Sequence, residues 1–181
     1  MWWRSMGRTG SSCGVSCAKA VVALGNPYRG DDGVGPAVLR LLERDGLAVL
    51  GDGDDPENTS HITRHPSRVE LIEGVHDGLR LAEALLGYER VLVVDAAPWL
   101  PAGEVERFRL EGLPATAGYL HGIGFRAALE MVAHAGGEEV PKVEILAIGV
   151  PEGLRFGEGL SPAVERALPV ALEEVIRWLN E

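Results

Sequence analysis

The segment from Val21 to Gly35, VVALGNPYRGDDGVG, constrains this chain more than any other. The apolar run Ala20 to Leu24 has the pattern of a short strand buried on both faces. Gly25-Asn26-Pro27 breaks it, and a helix is expected from Gly33 to Arg44, with Pro36 in its first turn and Val38, Leu41 and Leu42 as its inner stripe. A buried strand turning straight into a helix is the unit of an α/β sheet. Two adjacent carboxylates, Asp31 and Asp32, occupy the connection, which is where such sheets place ligands.

The same alternation continues along the chain. Strands are expected at Arg68–Glu73, Arg90–Val94 and Val143–Ile148, and an edge strand at Glu104–Leu110. Helices are expected from an Asp77 cap through Leu86, over Gly122–Ala135 and over Pro162–Leu179. In the last, Ser161 is the expected cap, and Pro169 is expected to kink or split it. Residues 51–68 carry no apolar period, and their Gly, Asp, Asn and Pro content predicts an exposed loop. The pattern predicts a three-layer α/β/α domain.

At 181 residues and 46% hydrophobic, the chain suits one domain, expected over 19–181. Residues 1–18 hold Trp2, Trp3 and small polar residues but no signal-peptide run, and are expected to form a flexible extension. A formal charge of -10 argues against a nucleic-acid partner, and no apolar stretch is long enough to span a membrane. The two cysteines, Cys13 and Cys17, match neither a CxxC redox motif nor a zinc cluster, so a reduced cytoplasmic setting is expected.

Topology raises the value of a third carboxylate. If the Arg68 strand lies on one side of the first strand and the Arg90 strand on the other, the winding reverses between them and opens a crevice. Asp31 and Asp32 would then face Asp95 across it. Asp95 follows Val91-Leu92-Val93-Val94, where a carboxylate is costly without a partner. It is a ligand, a catalyst or a hydrogen-bonding hub. Asp31 and Asp32 can cap the following helix, or one can cap while the other points inward.

Gly25, Gly30, Gly33 and Gly35 spell neither GxGxxG nor a Walker motif, so they read as turn glycines. His121 precedes a helix, where a histidine is a cap, an exposed polar residue or a ligand. With two carboxylates it would suit a borderline divalent cation such as Ni²⁺ or Zn²⁺, leaving open positions. His76 follows the second strand near the crevice. His61 and His65 lie in the polar segment, where Pro66 argues against a helix, and His134 is a poorer candidate too.

Four motifs together resemble the nickel-iron hydrogenase maturation proteases, over nearly the whole chain after residue 18. They are LGNPYRGDDGVGPAVLRLL, VLVVDAA, the histidine before the third helix and IGVPEGLRFGEGLSPAVERALPVALEEV. The resemblance implies a mixed, mostly parallel five-stranded sheet in the α/β/α domain. It implies an aspartyl-type endopeptidase that removes the C-terminal extension of a nickel-loaded hydrogenase large-subunit precursor. Asp32 and Asp95 would be its metal-binding and catalytic acids, and His121 its third ligand. Nickel would arrive with the substrate, with Zn or another divalent cation able to substitute in crystals. The protein would act as a cytoplasmic monomer. A non-enzymatic nickel-binding chaperone or sensor, and a peptidase for another precursor, are the alternatives. Two departures bear on which precursor is recognised. Glu73-Gly74-Val75-His76 stands where many relatives carry an Asp-Gly type turn, and the polar segment 51–68 lengthens the approach to it.

Overall fold

The computed structural model describes residues 19–45, 61–64, 69–73, 78–112, 122–153 and 156–181. The strands are β1 (Lys19–Ala23), β2 (His61–Arg64), β3 (Val69–Glu73), β4 (Arg90–Ala97), β5 (Val105–Arg109) and β6 (Lys142–Gly149). The helices are α1 (Val34–Arg44), α2 (Gly78–Ala84), α3 (Gly122–Gly136) and α4 (Pro162–Asn180), with 3-10 turns at Gly30–Gly33 and Leu110–Gly112.

The sheet order is β2-β3-β1-β4-β6-β5. The inner pairings β3–β1, β1–β4 and β4–β6 are parallel, and the two edge strands are antiparallel. All five expected strands are present, and β2 adds a short sixth at one edge. It lies within residues 51–68, so that segment is not loop throughout. Its pairs Ile62↔Ile72 and Thr63↔Leu71 lie between charged or polar ends, which leaves no apolar period to read. The expected reversal of winding is present, with β3 and β4 on opposite sides of β1.

Alternating side chains sort into two cores. Val21, Leu92, Val94 and Leu146 face α1 and α4 and meet Val38, Leu42, Ala171 and Trp178. Val22, Val91, Val93 and Ile145 face α2 and α3 and meet Leu81, Leu85, Phe125 and Leu129. These two faces make the three-layer α/β/α architecture. Helix α4 runs unbroken through Pro169. Pro169 and Glu165, whose carbonyl lacks the i+4 donor, are both exposed, so solvent satisfies the freed acceptor.

The amino ends of the strands are tied to the end of α4. Buried Trp178 donates its Nε1 hydrogen to Glu144 at 2.8 Å, and Lys19 Nζ donates to the Leu179 carbonyl at 2.8 Å. Arg90 lies over the Trp178 ring and pairs with Glu144 at 3.0 Å, while Arg107 pairs with Glu181 at 2.7 Å. The opposite end of the sheet, at the carboxyl ends of the parallel strands, carries no comparable network among the described residues. That end holds the candidate site. No helix among the described residues is long and apolar enough to cross a membrane.

Candidate active site

Asp95 lies inside β4 rather than on the connection after it. Pairing with β6 continues through Asp95↔Ala147, Ala96↔Ile148 and Ala97↔Gly149, because the alanines after Asp95 are small and apolar enough to prolong a buried strand. Pro98 then ends it. In parity with Val91 and Val93, Asp95 projects toward the α2/α3 layer, and it is only 6% exposed. Its Oδ1 accepts the N–H of Ala96 at 2.8 Å. Burial pushes its carboxyl up to about 7; the Ala96 hydrogen bond opposes this and the charge of Asp32 adds to it. The last effect is the electrical sign of two acids meeting where the winding reverses.

The turn after β1 is built to bring Asp32 there. The β1–β4 ladder runs one residue beyond β1, with Leu24 N–H donating to the Val94 carbonyl at 3.0 Å. Gly25 follows with φ +113, and a Cβ there would collide with the backbone carbonyl of Asp32. Asp32 Oδ2 accepts the Asn26 N–H at 3.1 Å, and Asn26 Oδ1 in turn accepts the Tyr28 N–H at 2.9 Å. Gly33 and Gly35 allow further close approach. Cβ atoms there would press on Pro27 and on the carbonyls of Leu24 and Val94. These glycines pack the turn against the sheet, in keeping with their reading as turn residues.

Neither aspartate caps α1: its N-cap is Gly33, with no side-chain cap bond. Asp31 instead accepts the backbone N–H of Ser161 at 2.6 Å, at the start of α4. Ser161 does occupy the N-cap position, but its Oγ is buried without a partner among the described residues, so the expected side-chain cap is not made. A backbone bridge reinforces the link. Gly30 N–H donates to the Gly157 carbonyl at 2.8 Å, and Gly157 N–H to the Tyr28 carbonyl at 3.1 Å. The link from Asp31 to Ser161 was not foreseen, because no local pattern marks a contact so distant in sequence.

His121, His65, His76, Asp77, Cys13, Cys17 and the 1–18 segment lie outside the described residues. His134 lies in the last turn of α3, at the far end of that helix from Gly122. Glu73, at the carboxyl end of β3, lies 3.9 Å from Arg40. Among the described residues no three His, Cys, Asp or Glu side chains converge as a metal-binding group. Asp32 and Asp95 supply two oxygen donors, the hard part of a mixed ligand set, and a cation between them would relieve both the burial of Asp95 and its repulsion by Asp32.

No sequence among curated proteins matches the chain significantly. Among solved structures, the chain is similar to the hydrogenase maturating endopeptidase HybD from E. coli, with a TM-score of 0.66 and 23% identity over 90% of this chain and 91% of that one. HybD from Thermococcus kodakarensis, a nickel-iron hydrogenase maturation protease, gives a TM-score of 0.63 and 22% identity over 89% and 98%. A hydrogenase 2 maturation peptidase from a Thaumarchaeota archaeon gives 0.51 and 26% over 89% and 97%. These likenesses carry the fold. The family model HycI, described as hydrogenase maturation protease, matches residues 57–178, a range that includes Asp95 and His121 and begins after Asp32. By that match over most of its length, the chain belongs to the hydrogenase maturation protease family, whose members are peptidases.

Proposed function

We propose that this protein is the endopeptidase that removes the C-terminal extension of a nickel-loaded nickel-iron hydrogenase large-subunit precursor. One observation carries the reading: Asp32 and Asp95 approach from the ends of adjacent parallel strands at the reversal of winding, close enough for the charge of one to raise the pKa of the other. Membership of the maturation protease family supports the reaction class.

In this reading nickel belongs to the substrate. Asp32 and Asp95, joined by His121, meet it and so test whether the precursor has been loaded. A second divalent ion such as zinc can stand in for it. The chemistry is hydrolysis. A water oxygen bonds to the scissile carbonyl carbon, the C–N bond breaks, and the water proton passes through a carboxylate to the departing amine. Asp95 suits that proton transfer, since a carboxyl near 7 can both take and return a proton at neutral pH. Asp32, oriented by the Asn26 N–H, holds the metal-bearing end of the substrate beside it. The protein works as a monomer in the cytoplasm, a setting that two cysteines without a disulfide framework fit.

The test is incubation with nickel-loaded and nickel-free precursor, read by intact mass. Loss of the extension from the loaded form alone is expected. Cleavage of both forms would remove nickel from the reading. Cleavage of neither would point to another precursor.

A further inference from the structure

Arg29 stands in the turn that carries Asp32, and its backbone is pinned there. Its N–H donates to the Asn26 carbonyl at 3.0 Å, and Asn26 is the residue whose own N–H meets Asp32. On either flank, Tyr28 and Gly30 are tied to Gly157. Tyr28 and Gly30 line a cleft with Ala37 of α1 and Leu168 of α4, whereas Arg29, between them, does not. The Arg29 side chain therefore leaves the turn away from that cleft. Asp95, too, projects away from the α1/α4 layer.

The guanidinium has no protein partner. Arg29 is half-buried, and its Nε is buried without a hydrogen-bond partner. Its two Nη groups are not buried, and no ion pair or hydrogen bond holds them among the described residues. The other half-buried arginines among the described residues behave differently: Arg90 and Arg107 each pair with Glu144 and Glu181. The formal charge of -10 leaves carboxylates in excess over cations. Even so, the two acids nearest in sequence are committed elsewhere, Asp31 to the Ser161 N–H and Asp32 to the Asn26 N–H. A cation held at its root and open at its tips, with its neighbouring acids turned to other donors, is arranged for an anion from outside the chain.

We propose that Arg29 is a binding site for a carboxylate, the one that the cut leaves at the new carboxyl terminus of the mature subunit. The ligand rests on the hydrolysis proposed above. There the water oxygen bonds to the carbonyl carbon, the C–N bond breaks and a proton passes to the departing amine. The acyl half keeps both oxygens, and at neutral pH it is an anion. It is formed beside Asp32 and Asp95, where like charges repel it. The paired Nη groups of Arg29 match the two oxygens of a carboxylate, so Arg29 holds the new terminus clear of the acids and sets how tightly the product stays.

The experiment uses the full-length protein and two fluorescent peptides with the closing sequence of the mature subunit, one ending in a free carboxylate and the other in a carboxamide. Binding is followed by anisotropy. Wild type is expected to bind the free acid about tenfold more tightly than the amide. Arg29→Gln should bind the two alike, and Arg29→Lys, which keeps the charge but not the planar fork, should keep part of the preference. Both variants should melt with the wild type, since the side chain they replace holds nothing in the fold. Inhibition of precursor cleavage by the free-acid peptide should weaken about tenfold in Arg29→Gln. Equal binding of the two peptides by wild type, with the precursor cut normally, would overturn the site and leave the reaction standing. A preference that survives in Arg29→Gln would overturn it too, by giving the carboxylate to another group. Equal loss of both peptides in Arg29→Gln would do the same, because the partner would then be a side chain of the peptide. A preference that Arg29→Gln abolishes, with no precursor cut by any form, would support the site and overturn the reaction. Neither binding nor cleavage by wild type would overturn both.

Discussion

Asp31 accepts the backbone N–H of Ser161 at 2.6 Å, across 130 positions of sequence. Its neighbour Asp32 turns the other way, to Asn26 and the site. Adjacent carboxylates thus divide two tasks, one bracing the turn against α4 and the other turned to Asn26 at the candidate site. Asp31→Ala is expected to lower unfolding free energy by roughly 1–3 kcal/mol, the usual loss when a charged acceptor leaves a partly buried N–H unpaired. Asp31→Asn keeps an acceptor oxygen and should lose less. Urea unfolding midpoints of the two variants check the order.

Asp95→Asn should reduce precursor cleavage by about a hundredfold or more while the fold persists. The amide keeps the size of the carboxylate and can still accept the Ala96 N–H, but it cannot carry the reaction's proton. Single-turnover cleavage beside a thermal melt separates the two effects. A variant that cuts at the wild-type rate would remove Asp95 from the chemistry.

The same carboxyl sets a pH dependence of stability. Folded Asp95 holds its proton up to about 7, while an unfolded aspartate releases it near 3.8. Between these values the native state binds the extra proton. The contribution is therefore fully present below about 4 and is lost as pH rises to about 7. The change is on the order of 4 kcal/mol at most. Unfolding free energies of wild type minus Asp95→Asn, at pH 5 and pH 8, should show the wild type losing ground at the higher pH. A flat difference would show that Asp95 is ionised in the native state throughout.

Gly35→Ala should be more damaging than its size suggests. Its Cβ would sit 2.8 Å from the Val94 carbonyl, as well as against that of Leu24, both backbone atoms that cannot swing aside. A loss of about 1–3 kcal/mol is expected from overpacking. Cleavage should fall beyond what stability explains, since Gly35 packs the turn after β1 that carries Asp32 against β4, which carries Asp95. Activity measured well below the melting temperature tests this.

Nickel should be held weakly by the protein alone, because in the proposed reaction it arrives with the substrate. Metal analysis after mild chelation is expected to find well under one nickel per chain. Stoichiometric, slowly exchanging nickel would make it a resident cofactor.

Much of this architecture was legible because burial writes period into sequence. The run Val91 to Val94 reads as an inner strand, whereas the reversal of winding that brings Asp32 toward Asp95 is one order the sequence admits, and the pairing of β3 and β4 on opposite sides of β1 establishes it. The end of β4 was misread at Val94, since Asp95 looks like a loop residue until its pairing with Ala147 is known. The β2 strand was hidden because it borrows its order from β3 rather than from an apolar face of its own. Ser161 looked like a cap by residue type. Its side chain makes no such bond, and only the fold shows that its backbone serves Asp31.

The bridge between the Tyr28–Gly30 and Gly157 segments also bears on when the protein becomes competent. Its two halves lie near opposite ends of the described chain, and contacts of such wide separation form late because the intervening loop must first be closed. A nascent chain that has not yet exposed Ser161 carries both aspartates but lacks the brace that aims them. The turn that holds Asp32 is therefore braced only by the last stretch of the chain to be made.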